Sequence, residues 1–189
     1  MMKKVLVFFA CGTEEIEALT PVDLLRRAGA DVTLVGVEVN DKLNVGSHGI
    51  RVVADCTADE LDPNMDFDML VLPGGMPGTT NLDVSPVVDH FISRAVKENK
   101  LIGAICAAPT ILGRRGLLDG KNATCYPGME DGLVGANVKK ARDGYTVVTD
   151  GNIITAAGAG VAVDFALTLI YALYGAEVHD KIEYSIVAG

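Results

Sequence analysis

Leu101-Ile102-Gly103-Ala104-Ile105-Cys106-Ala107-Ala108-Pro109 is the stretch on which the reading of this chain turns. Its first five residues form a short apolar run of the kind a strand buried on both faces requires. Pro109 stands where the first turn of a helix accepts proline, whose missing N–H would be unbonded there anyway. A strand running straight into a helix forces the residue between them into a strained backbone conformation, which only small neighbours permit. Gly103, Ala104, Ala107 and Ala108 are such neighbours of Cys106. A thiol at a helix N-terminus also meets the positive end of the helix dipole, which favours thiolate. The stretch is expected to be a nucleophile elbow carrying a reactive thiol, rather than a strand end with a small buried cysteine.

Outward from Cys106, short apolar runs alternate with helix-period segments, the pattern of βαβ units and a mainly parallel sheet. Strands are expected over 4–9, 31–37, 69–72, 101–105, 145–148 and 153–156, and a hairpin or short edge pair over 45–55. Thr20-Pro21 is expected to open a helix ending at Ala28-Gly29. Further helices are expected over 85–97, 109–118 and 161–174, the last strongly apolar and closing the fold. No repeat, low-complexity tract or linker interrupts the 189 residues, which predicts one α/β domain, 1–189, of three layers.

Sixteen basic residues against 25 acidic ones give a net charge of −9, and no basic run is longer than a pair. Counterion release needs clustered Lys and Arg, so a nucleic-acid partner is not expected. No stretch reaches the roughly eighteen apolar residues of a membrane span. The apolar run after Lys3-Lys4 is short and soon followed by Glu14-Glu15, so it reads as a buried first strand rather than a signal peptide. A cytoplasmic location with reduced thiols is expected. The four cysteines, 11, 56, 106 and 125, match no zinc spacing, and no metal or other cofactor is expected.

In open parallel sheets ligands gather beyond the carboxyl ends of the strands. Three such ends are distinctive: Cys11-Gly12-Thr13-Glu14-Glu15-Ile16-Glu17, Leu72-Pro73-Gly74-Gly75 and Ile105-Cys106-Ala107. Gly74 and Gly75 offer unhindered amides which, with that of Ala107, would make an oxyanion hole for a carbonyl attacked by sulfur. A carboxyl group of Glu14, Glu15 or Glu17 beside the thiol would have a raised pKa and could donate a proton. Negative charge after the first strand, and no Gly-x-Gly-x-x-Gly, argue against a nucleotide or flavin site.

At these residues the chain resembles the ThiJ/PfpI superfamily, in the branch of the parkinsonism-associated protein deglycase and its bacterial relatives. The stretches that carry the resemblance are Gly12 to Glu17, Pro21-Val22-Asp23, Arg26-Arg27-Ala28-Gly29, Leu72 to Gly75 and Ala104 to Pro109. The resemblance implies a flavodoxin-like sandwich and a homodimer. It marks Cys106 as an easily oxidised nucleophile, Glu17 as its protonated partner, and Gly74, Gly75 and Ala107 as carbonyl-binding amides. It implies cofactor-free action on small aldehydes or glycated substrates, in glyoxalase or deglycase chemistry, with redox sensing or chaperoning as the alternative.

The chain departs from that pattern at three places. Tyr126 stands where the family often has a His beside the nucleophile, and a phenol is no base near neutral pH. Gly158-Ala159-Gly160-Val161 replaces a Gly-Pro-Gly-Thr loop, and His48 takes the place of a site arginine, as a substitute base or a surface residue. Ala107 follows the nucleophile where protease-like members have His, which speaks against a peptidase. A glutamine amidotransferase would need a distant His–Glu pair, which the chain lacks.

Overall fold

In the computed structural model, residues 2–37 and 41–188 are described, and they place the central strands where the apolar runs predict them. β1 (Lys4–Ala10) leads into α1 (Glu15–Arg27), and β2 (Asp31–Val37) follows. A hairpin of β3 (Leu43–Val45) and β4 (Arg51–Val53) precedes β5 (Cys56–Thr57) and β6 (Met69–Leu72). Next come α2 (Gly78–Val84), α3 (Pro86–Lys97), β7 (Leu101–Ile105) and α4 (Pro109–Arg114). β8 (Asn122–Ala123), β9 (Asn137–Val138), β10 (Val147–Asp150), β11 (Ile153–Ala156), α5 (Ala162–Tyr174) and α6 (Ala176–Ser185) complete the order. Seven strands form one sheet in the order β10-β11-β7-β6-β1-β2-β5, parallel except where β10 meets β11. Because β1, β6 and β7 are parallel neighbours, their carboxyl ends come together at one edge.

Period-two alternation sorts the strand residues onto two faces. Val5, Val7, Phe9, Met69, Val71, Ile105 and Ile154 pack with α1, α5 and Ile182 of α6. Leu6, Phe8, Ala10, Leu70, Leu72, Ile102 and Ala104 pack with α2, α3 and α4 on the other side. The result is the expected flavodoxin-like three-layer sandwich.

Several expected boundaries are corrected. The first helix opens at Glu15, with Glu14 as its cap, not at Thr20-Pro21. It runs through Pro21, forgoing the bond that proline cannot donate to the carbonyl of Glu17, because Ala18, Val22, Leu24 and Leu25 are buried along it. α4 stops at Arg114 rather than near 118; Gly116 at φ +69 turns the chain away. The strand expected over 145–148 is shifted to Val147–Asp150. α5 does not close the chain, since α6 follows Gly175. The hairpin expected over 45–55 is present as the β3–β4 pair, outside the main sheet. No helix among the described residues is long and apolar enough to cross a membrane.

Candidate functional site

Cys106 follows β7 directly, at φ +64, the left-handed region that a residue with a Cβ seldom occupies. Its amide donates to the carbonyl of Ala156 at 2.8 Å and its own carbonyl accepts from the amide of Tyr126 at 2.8 Å, so neighbouring segments hold the peptide on both sides. The half-buried sulfur lies beside the side chain of Glu17, which disfavours its thiolate, and beside the backbone N–H groups of Gly75 and Ala107, which favour it. Small residues are what permit this approach. A Cβ on Gly74 would lie 2.6 Å from both Cys106 Cβ and Glu17 Oε2, and one on Gly75, at φ +87, would lie 2.3 Å from the nitrogen of Glu14.

Glu17 sits on the first turn of α1 and is only 1% exposed. Its Oε2 accepts the N–H of Gly74 at 3.0 Å, and the amide of Ala159 donates to the carboxyl as well. Burial pushes the Glu17 carboxyl up to about 7, with the charge of Glu14 adding to the rise; the bonds from Cys106, Gly74 and Ala159 pull the other way. Burial likewise pushes the Cys106 thiol up to about 12, helped by the charge and hydrogen bond of Glu17 and opposed by the two amides. The thiol therefore keeps its proton across the neutral range, while the carboxyl beside it exchanges its own near 7. The expectation that a helix dipole would favour thiolate is corrected: α4 has only six residues, and burial beside Glu17 outweighs it.

The other sequence candidates fall into place around this pair. Gly75 and Ala107 direct their amides at the sulfur, whereas Gly74, expected among the carbonyl-binding amides, commits its N–H to Glu17. Tyr126 is half exposed, and its ring stands beside Gly158: a Cβ there would lie 3.4 Å from the ring and 3.8 Å from Glu17 Oε1. His48 is held elsewhere. Its Nδ1 lies 2.9 Å from Glu15 Oε2 and its backbone N–H donates to Glu15 Oε1 at 2.9 Å, on the turn of the β3–β4 hairpin.

Three roles near the site escaped sequence reading. Glu14 caps α1 by accepting the N–H of Glu17 at 2.8 Å. Glu15, 3% exposed, also accepts from the amide of Ile50 and the hydroxyl of Ser47, and so clasps the hairpin to the helix. Burial would raise its pKa, but the bonds from His48 and Ile50 hold it at about 2. Ala159 reaches Glu17 through its backbone alone, which no side-chain pattern signals. The signal for Glu14 and Glu15 is an acidic cap, Glu14, followed by acidic residues in the first turn of a helix that starts at Glu15. Glu14, Glu15 and His48 also bring potential metal-ligating atoms within 4.8 Å of one another, but the Glu15 oxygens are already taken by the hairpin.

Comparison with protein families matches residues 3–172 to the DJ-1/PfpI family. Over 183 residues the chain is 38% identical to Protein DJ-1 homolog A of Arabidopsis thaliana, covering 95% of this chain but only 45% of that protein. Over 185 residues it is 35% identical to the Parkinson disease protein 7 homolog of Danio rerio, covering 98% and 97%. A Caenorhabditis elegans protein named glutathione-independent glyoxalase DJR-1.2 is 34% identical over 164 residues, 87% of this chain and 84% of that one. Among solved structures, a DJ-1 superfamily protein from Salmonella typhimurium matches with TM-score 0.91 at 36% identity, and Drosophila melanogaster DJ-1beta with 0.91 at 34%, each pair covered completely.

Proposed function

Because the chain belongs to the DJ-1/PfpI family, we propose that it is a cysteine-dependent, cofactor-free enzyme acting on small reactive aldehydes such as glyoxals, in protection against chemical stress. The observation that carries this reading is a cysteine held at φ +64 beside the buried carboxyl of Glu17, with two backbone amides aimed at the sulfur. The glyoxalase name of the C. elegans relative supports it.

In the proposed reaction Glu17 takes the thiol proton as sulfur adds to the aldehyde carbon, giving a hemithioacetal. The Gly75 and Ala107 amides, which meet the sulfur in the free protein, stabilise the oxygen that develops beside it. Glu17 passes its proton to that oxygen, then removes the hydrogen on carbon one as a proton to give an enediolate; the hydroxyl proton on oxygen one moves to oxygen two, and Glu17 returns its proton to carbon two. The resulting thioester is hydrolysed by water, releasing the hydroxy acid and restoring the thiol. A carboxyl near 7 suits both directions of transfer at neutral pH. Tyr126 and Gly158 would wall the pocket, and His48 has no part in these steps.

Lactate formation from methylglyoxal by reduced protein tests the reading, with Cys106→Ser as control. Turnover that vanishes in the variant supports an aldehyde-processing enzyme; equal rates in both would sink it. A second reading, oxidation of Cys106 to sulfinate as a redox switch, is favoured by the same donors round the sulfur and needs no base in place of Tyr126. Failure of turnover combined with peroxide oxidation confined to Cys106 would select it.

The reading includes a single domain in the cytoplasm that acts as a homodimer. Support for a dimer comes from Ile16, Leu43, Val45, Ile50 and Val53, exposed apolar residues on the hairpin and the α1 start that Glu15 ties together.

A further inference from the structure

We infer that Glu14 makes the Cys106 site selective for uncharged electrophiles, so that neutral carbonyl compounds react there in preference to carboxylate-bearing ones. This rests on Cys106 being the reacting thiol of the proposed function.

Carboxylate side chains act on the pair: Glu17 acts on Cys106, and Glu14 acts on Glu17. His48 is engaged by Glu15 at 2.9 Å and lies 3.9 Å from Glu14 Oε1, so it gives an incoming anion no free counter-charge. In the proposed reaction Glu17 takes the proton of the reacting thiol, which leaves Glu14 as the carboxylate beside the pair.

Glu14 is also held in place. Its side chain is 13% exposed, and its Oε2 is bound to the N–H of Glu17 at 2.8 Å. Its backbone N–H donates to the carbonyl of Gly74 at 3.0 Å, which sets the residue against the glycine whose own N–H serves Glu17. It cannot swing into water without uncapping the helix that presents Glu17. A carboxylate shielded in this way acts on a second anion through a medium less polar than water. A neutral dicarbonyl meets no such opposition.

The test compares alkylation of Cys106 by iodoacetamide, which is neutral, with that by iodoacetate, which carries a carboxylate. In both, a sulfur–carbon bond forms and iodide leaves. Peptide mass spectrometry separates Cys106 from Cys11, Cys56 and Cys125, and N-acetylcysteine supplies the intrinsic rate ratio. The thiolate fraction cancels in this ratio, so a changed proton affinity of the pair does not mimic the effect. Iodoacetate is expected to be disfavoured about five-fold beyond the small thiol, the order of effect of one partly screened charge several ångströms away. Glu14→Gln, whose amide oxygen still accepts the N–H of Glu17, should bring the ratio to that of N-acetylcysteine. In the unaltered protein, about 1 M salt should narrow the difference only in part, because a shielded charge is screened much less than an exposed one. A ratio equal to that of the small thiol, or one unchanged in Glu14→Gln, would overturn the inference. Loss of aldehyde turnover with selectivity intact would count against the proposed function alone, and turnover without selectivity against Glu14 alone.

Discussion

At Cys106 a non-glycine residue at φ +64 stores strain of about 1–3 kcal/mol, tolerable because the peptides of Ala156 and Tyr126 hold it in place. Gly75 is the most sensitive position beside it. Gly75→Ala adds a Cβ 2.3 Å from the nitrogen of Glu14 at φ +87, so it should destabilise the fold by more than about 1 kcal/mol and slow Cys106 alkylation at least about ten-fold. Urea unfolding and iodoacetamide kinetics measure the two effects. Glu17 yields a pH prediction. Its native pKa of about 7 exceeds the ordinary 4.5, so between those values the native state binds more protons than the unfolded chain. Its contribution is therefore full below about 4.5 and lost as pH rises through 7, a fall of about 3 kcal/mol. Glu17→Gln should flatten this slope and be relatively more stable than the unaltered protein above pH 7. Parallel pH curves for the two would contradict the assignment.

The start of α1 does the most at the level of elements, because three carboxyl groups within four residues have three different tasks. Glu14 caps the helix, Glu15 clasps the hairpin and Glu17 meets the thiol. Glu15→Ala would leave the amides of His48 and Ile50 without their acceptor, at a cost of about 1–3 kcal/mol. Hydrogen exchange should accelerate at those two amides while β7 stays protected; unchanged exchange there would refute the clasp. The sequence pattern identified the glutamate-rich segment but not this division of labour. Carboxylates at a strand end look alike until their directions on a helix are known, and Pro21 drew the expected helix start five residues too late. α6 and α2 were overlooked for another reason. α6 buries only Ile182, and the seven-residue α2 opens on Gly-Thr-Thr-Asn and buries one large apolar side chain, Leu82, so neither carries a clear helical stripe of apolar residues.

For the whole molecule, the proposed homodimer makes the β3–β4 hairpin an interface rather than an ornament of the sheet. Val53 is 70% exposed on β4, and Val53→Glu should lower the sedimentation coefficient to that of a monomer without unfolding it. An unchanged coefficient would place the interface elsewhere.

Much of the architecture was legible because it depends on local pattern: apolar runs bounded by turns specify buried parallel strands, and the small residues round Cys106 specify the elbow. The position of Cys106 at the elbow was equally local, whereas the expectation that Glu17 stands beside it came from the family resemblance. Only the tertiary structure decided which amides serve the sulfur and which serve the carboxyl, since Gly74 and Gly75 are adjacent in sequence yet face different partners. It also decided that His48 belongs to Glu15, and that burial rather than a helix dipole governs the thiol. These outcomes depend on distances between segments far apart in the chain and on how much water they exclude, and neither quantity is encoded in any one stretch of residues.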